Sequence, residues 1–118
     1  GRRPARLLVV DDEPLVAAVL SDWCLRNGHA CRVAGSAEEA RAALAEPVPF
    51  DAVLVDERLP GASGVELLGF IEREHPGLLG HAALMSGSAP AVPAGYAFLP
   101  KPFTRRQLAE LVEKLLAR

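Results

Sequence analysis

The sequence predicts a doubly wound α/β domain built on a parallel sheet. Strand-like and helix-like patterns alternate along the chain. The strand-like runs are short, apolar and rich in branched residues, as suits strands buried on both faces. Four of them end on polar residues: Leu7 to Val10 on Asp11 and Asp12, Ala52 to Val55 on Asp56, Ala83 to Met85 on Ser86, and Ala97 to Pro100 on Lys101. Ligands of such folds bind at the carboxyl ends of the strands, so these residues converge on one pocket holding three carboxylates, a hydroxyl and an ammonium. Crowded carboxylates repel, and one is driven to protonate unless a cation sits among them. A divalent metal and Lys101 are the expected compensation.

Each element has its own signal. Arg6 to Val10 reads as the first strand, and Pro14 to Asn27 as a helix with Val16, Val19, Leu20 and Trp23 at core spacing and Gly28 as its stop. Ala30 to Ala34 is the second strand. Ser36 and Glu39 then form a capping box for a helix reaching about Glu46, ended by Pro47 and Pro49. Phe50 to Asp56 gives the third strand, Leu59-Pro60-Gly61 a loop, and Ser63 to His75 a helix closed by Pro76-Gly77. The fourth strand covers Ala82 to Ser86 and the fifth Ala97 to Leu99. The last helix opens at Thr104, with Gln107 as capping-box partner, and buries Leu108, Leu111, Val112 and Leu115. Between the fourth and fifth strands only Gly87 to Tyr96 are available, near the lower limit for a parallel crossover that contains a helix. Pro90 and Pro93 each remove a backbone donor, and Gly87 and Gly95 weaken a helix further. At most a single turn is expected there, within a mobile loop.

Composition narrows the function classes. With 118 residues, half of them apolar, the chain suits one domain over residues 1–118. A net charge of −2, with Lys and Arg dispersed, argues against nucleic acid and anionic membranes, and Arg2-Arg3 and Arg105-Arg106 are too short for a phosphate-tracking stripe. No apolar stretch is long enough to span a bilayer and no signal peptide precedes the first strand, so a cytoplasmic location is expected. Cys24 and Cys31 lack metal-site spacing and read as buried or half-buried reduced thiols. His29, His75 and His81 fall at segment ends and read as surface or loop residues rather than metal ligands. Gly1 in place of an initiating Met reads as a tag remnant or the start of an excised segment.

The succession Leu7-Leu8-Val9-Val10-Asp11-Asp12-Glu13-Pro14, Asp56-Glu57-Arg58-Leu59-Pro60-Gly61, Met85-Ser86-Gly87 and Leu99-Pro100-Lys101-Pro102-Phe103 resembles the receiver domains of two-component response regulators, over nearly the whole chain. It is similar to receivers of hybrid histidine kinases and to single-domain regulators. The resemblance implies a flavodoxin-like five-stranded sheet of order 2-1-3-4-5, here with the fourth helix shortened or absent. It implies phosphorylation of Asp56 by a histidine kinase or histidine phosphotransfer domain, with Mg²⁺ as cofactor. Asp12 and Asp56 would bind the metal directly, Asp11 through water, and Arg58 through its carbonyl. Lys101 and Ser86 would contact phosphoryl oxygens, Gly87 would leave the group room to enter, and Phe98 stands in the place of the family's switch aromatic, though it suits the core equally well. Such a domain catalyses its own phosphorylation and dephosphorylation and is not a turnover enzyme.

Other accounts exist for single residues. Asp11, Asp12 and Glu13 suit a helix N-terminus by the dipole, Asp56 and Ser86 suit turns, and a lysine is most often solvated. All must hold together to defeat a shared site. A haloacid dehalogenase-type phosphatase places a second Asp two residues after its nucleophile, where this chain has Arg58. A flavodoxin-like cofactor site needs a hydroxyl- and glycine-rich phosphate loop, and Asp11-Asp12-Glu13-Pro14 would repel a phosphate. A phosphorylation-independent adaptor stays open as an alternative. Kinase docking is expected on the first helix near Pro14 and Leu15 and on the Pro102-Phe103 loop. With its fourth-helix face depleted, the chain is expected to be monomeric.

Overall fold

The structure is a computed structural model and describes residues 4–88 and 92–117. In chain order the elements are β1 (Arg6–Val10), α1 (Pro14–Arg26), β2 (Ala30–Ala34), α2 (Ala37–Leu44), β3 (Ala52–Asp56), β4 (Arg58–Leu59), β5 (Ala62–Ser63), α3 (Gly64–Glu74), a 3₁₀ turn (Pro76–Leu78), β6 (Ala82–Ser86), β7 (Ala97–Pro100) and α4 (Arg105–Leu116). The main sheet is five-stranded and parallel, in the order β2-β1-β3-β6-β7. This is the expected order, because β4 and β5 form a separate two-stranded hairpin. That hairpin replaces the expected loop, with Gly61 at φ 80° in its turn, a conformation that favours glycine.

Side chains alternate across a strand, and this sorts the apolar residues into two cores. Leu8, Val10, Val53, Val55 and Leu84 face α2 and α3, where Ala40, Leu67, Leu68 and Ile71 cover them. Leu7, Val9, Leu54, Met85 and Leu99 face α1 and α4, where Leu20, Trp23, Leu108, Leu111, Val112 and Leu115 cover them. Two departures concern α1 and the histidines. Val19 is 56% exposed, and Ala17, Leu20, Trp23 and Cys24 form the buried stripe instead. His29 is buried rather than at the surface: it stacks on Trp23, and its Nδ1 accepts the Ala5 N–H at 3.1 Å. Both cysteines are free, Cys24 buried and Cys31 half-buried.

The helix ends follow local chemistry. Thr104 and Gln107 form the reciprocal box foreseen for α4, and Ser63 with Glu66 forms a second box on α3. At α2 only half of the expected box is present: Ser36 Oγ accepts the Glu39 N–H, while the Glu39 carboxylate turns to the Ser36 hydroxyl. The helix ends at Leu44, short of Glu46, whose carboxylate is taken by a two-point pair with Arg32. Among the described residues no helix lies between β6 and β7. The expected mobile loop falls partly on residues 89–91, outside the described residues. Val92 and Tyr96 pack on the core at this edge, and the Tyr96 hydroxyl meets Leu68 O at 3.2 Å and Glu72 Oε2 at 3.3 Å, tying the short crossover to α3. No helix among the described residues is long and apolar enough to cross a membrane.

Gly64, at the start of α3, lies against the backbone of Asp56 so closely that a Cβ would overlap the Asp56 carbonyl, and its N–H donates to Glu57 O at 2.7 Å. Gly64→Ala is therefore expected to cost about 1–3 kcal/mol through overpacking, read as a lower midpoint in urea unfolding; an unchanged midpoint would show that α3 can shift freely.

Candidate functional site

The carboxyl ends of β1, β3, β6 and β7 open on a cleft of about 870 Å³ whose lining includes Asp12, Asp56, Arg58, Ser86, Gly87 and Lys101. Parallel pairing sets the strand ends in register: Val10 is level with Val55, Asp56 with Met85, and Ser86 with Pro100. The strand that ends on Lys101 thus sets the ammonium beside Asp56. The peptide bond from Lys101 to Pro102 is cis.

Lys101 Nζ lies 2.8 Å from Glu13 Oε1, 2.9 Å from Asp11 Oδ2 and 3.0 Å from Asp56 Oδ1. Glu13 and Asp56 accept hydrogen bonds from it; the contact with the fully buried Asp11 Oδ2 is charge pairing without hydrogen-bond geometry. The other oxygen, Asp11 Oδ1, accepts the Glu13 N–H at 2.9 Å. Burial works against the ammonium, but Glu13, Asp11 and Asp56 outweigh it and hold the Lys101 pKa above its ordinary value. Burial pushes the Asp56 carboxyl up, opposed by the Lys101 hydrogen bond and reinforced by Asp11 and Glu13.

Carboxylate oxygens of Asp11, Asp12 and Asp56 come within 4.8 Å of one another, with Asp11 and Asp56 buried and Asp12 exposed. An all-oxygen set of this compactness suits a hard divalent cation. The buried Asp11 Oδ2, whose polar partner among the described residues is the Lys101 ammonium at 2.9 Å, has acceptor capacity to spare for such an ion or its water. Arg58 lies on β4 at the cleft rim. A Cβ on Gly87 would meet Lys101 O at an ordinary 3.5 Å, so packing within the chain does not require glycine there. Phe98 is half-buried on β7, outside the cleft lining.

Two participants were not foreseen as such. Glu13 precedes α1 as its N-cap residue, yet its side chain makes no cap hydrogen bond and reaches Lys101 instead. Glu57 accepts from the Ser86 hydroxyl at 2.6 Å and from the Ser88 hydroxyl at 3.0 Å. The Ser86 bond, aided by that of Ser88, holds the Glu57 carboxyl below its usual range although partial desolvation opposes it. Sequence adjacency to Asp11-Asp12 and Asp56 was the one signal available for either residue.

A family model described as the response regulator receiver domain matches residues 7–113. The chain is 35% identical over 116 residues to the response regulator protein PilR of Pseudomonas aeruginosa, covering 94% of this chain and 26% of that protein. It thus spans about a quarter of the length of such relatives. Among solved structures, a CheY-like receiver domain protein from Methanospirillum hungatei superposes with a TM-score of 0.87 at 27% identity, covering 98% of this chain and 95% of that one. The response regulator TrrA of Thermotoga maritima, solved in complex with Mg²⁺-BeF, superposes with a TM-score of 0.84 at 28% identity, covering 95% and 99%.

The raised Asp56 pKa makes its ionised form a cost to the fold when no divalent cation is present. Wild type is expected to lose stability as pH rises from the ordinary aspartate range through the raised value, where the folded state holds its proton longer than the unfolded chain. Asp56→Asn should therefore unfold at a higher temperature than wild type at neutral pH with chelator present, and the two should converge in acid. Calorimetry across that range checks this; a lower melting temperature for Asp56→Asn at neutral pH would contradict it.

Proposed function

This chain belongs to the response regulator receiver domain family, and on that premise we propose that it accepts a phosphoryl group on Asp56 from a histidine kinase or phosphotransfer partner and switches conformation in response. The observation that carries the reading is the convergence of the acid cluster, Asp56, Ser86 and Lys101 on one cleft at the strand ends. An Asp56 carboxylate oxygen attacks phosphorus, the P–N bond of the phosphohistidine breaks, and its electron pair leaves with the imidazole. A carboxylate is a poor nucleophile toward an anionic phosphoryl group, so charge compensation and in-line positioning dominate the catalysis.

Asp12 and Asp56 would hold Mg²⁺ directly, Asp11 through water and Arg58 through its carbonyl. Bound there, Mg²⁺ would supply charge compensation for the carboxylates and for the incoming phosphoryl group. Lys101 supplies a fixed positive charge, and its three carboxylate partners hold it in the cleft before any ligand arrives. Ser86 offers a hydroxyl donor to another phosphoryl oxygen, and Gly87 leaves the space beside it open. Phosphorylation adds charge and acceptors where Lys101 and Ser86 stand and so draws their loops together. The chain acts as a switch rather than a turnover enzyme. Val16 and Pro102 line the cleft, and Leu15, next to Val16 in sequence, is 82% exposed, which supports kinase docking there. The absence, among the described residues, of a helix between β6 and β7 supports a monomer.

Incubation with Mg²⁺ and acetyl phosphate should add one base-labile phosphoryl group, seen by intact mass, and Asp56→Asn should add none. Equal modification of that variant would refute the assignment. Asp12→Ala should weaken Mg²⁺ binding about tenfold or more, through loss of a direct charged ligand, in an NMR titration. Unchanged affinity would reduce the acidic pair to a helix-terminal feature.

A further inference from the structure

The hydroxyl that the proposed reaction needs as a donor is already engaged. Ser86 Oγ donates to Glu57 Oε1 at 2.6 Å and accepts the Ser88 N–H at 3.0 Å, and the Ser88 hydroxyl donates to the same Glu57 oxygen at 3.0 Å. A serine hydroxyl carries one proton, so Ser86 can serve Glu57 or a phosphoryl oxygen, not both. The backbone of Glu57 is pinned on two sides, its N–H donating to Met85 O at 2.8 Å and its carbonyl accepting from Gly64 N at 2.7 Å. The side chain is thus the part free to leave. Lys101 spends its ion pairs on Asp11, Glu13 and Asp56, and Glu57 is held by the two hydroxyls with Arg58 nearby.

We propose that Glu57 is a built-in competitor of the phosphoryl group: its carboxylate occupies the Ser86 hydroxyl in the unphosphorylated domain and must be displaced when Asp56 is phosphorylated. This rests on the reading of Asp56 as phosphoacceptor. The incoming group competes for the strongest hydrogen bond of the Glu57 carboxylate, and the single Ser86 proton serves one acceptor at a time. Displacement of Glu57 also breaks its bond to Ser88, so the change at Asp56 reaches the first residues of the β6–β7 connection. Glu57 is therefore a positioning residue that sets how much of the phosphoryl group's binding is consumed in opening the site.

The competition is tested on the whole chain by titrating beryllofluoride at saturating Mg²⁺ and following the amide signals of Gly87 and Ser88 by NMR. Glu57→Ala should bind the analogue about five- to tenfold tighter than wild type, and Glu57→Gln, which keeps a neutral acceptor of the same shape, should fall between them. Removing a negative charge could by itself favour an anion, so the same substitutions are compared in a Ser86→Ala background. There the gain should vanish, since the contested hydroxyl is gone; a gain that persists overturns the competition in favour of plain charge repulsion. Equal or weaker binding by both Glu57 variants, with wild type binding normally, also overturns it. Failure of wild type and the Glu57 variants alike to bind would overturn the phosphoacceptor reading and the competition with it.

Discussion

The Lys101 ammonium, set among Asp11, Glu13 and Asp56, is the interaction on which the rest of the site depends. It joins the ends of β1, β3 and β7, which are far apart in sequence but near neighbours in the sheet. Its Nζ has three N–H donors and meets three carboxylates, so the cluster is compensated in charge only in part. Burial raises the Asp56 pKa, with Asp11 and Glu13 adding to the rise against Lys101, and the spare acceptor capacity of Asp11 Oδ2 lies in the same place. A site left short of positive charge is one prepared to bind a cation.

The sheet makes this arrangement stiff. Leu7 to Val10, Val53 to Val55 and Ala82 to Met85 are fully buried, packed on two faces by helices that bury apolar stripes of their own. A residue one step beyond such a run inherits its position, so Asp11, Asp56 and Ser86 are held by the core as well as by their own contacts. Gly64 extends the same control to α3, whose first turn rests on the Asp56 carbonyl and fixes the backbone of Glu57. The polar network at the strand ends is therefore a property of the core as much as of its own hydrogen bonds.

The crossover from β6 to β7 shows how the fold tolerates a shortened connection. A helix there would have covered the edge of the core that faces α2 and α3. Val92 and Tyr96 supply apolar cover instead, and the Tyr96 hydroxyl takes its partners from α3, at Leu68 in its middle and Glu72 near its end. Burial raises the Tyr96 pKa, with Glu72 adding to the effect, so the phenol stays protonated as a donor.

Much of the fold and of the site was legible in the sequence, because the signals involved are local. Strand limits at β1, β2 and β6 follow from apolar runs bounded by turn residues, and the Thr104 cap from a box four residues long. The convergence of Asp11, Asp12, Asp56, Ser86 and Lys101 follows from the rule that strand ends share one edge of a parallel sheet. The partners of these groups were decided by tertiary structure alone. That Glu13 turns from its helix to Lys101, that Glu57 takes the Ser86 hydroxyl, that His29 is buried on Trp23 and that Val19 faces water all depend on which side chain lies nearest in space. Periodicity and spacing fix which residues share an element and which end of it they occupy. The choice among several acceptors for one proton or one ammonium is made by distances of a few ångströms between elements, and those exist only once the sheet has closed.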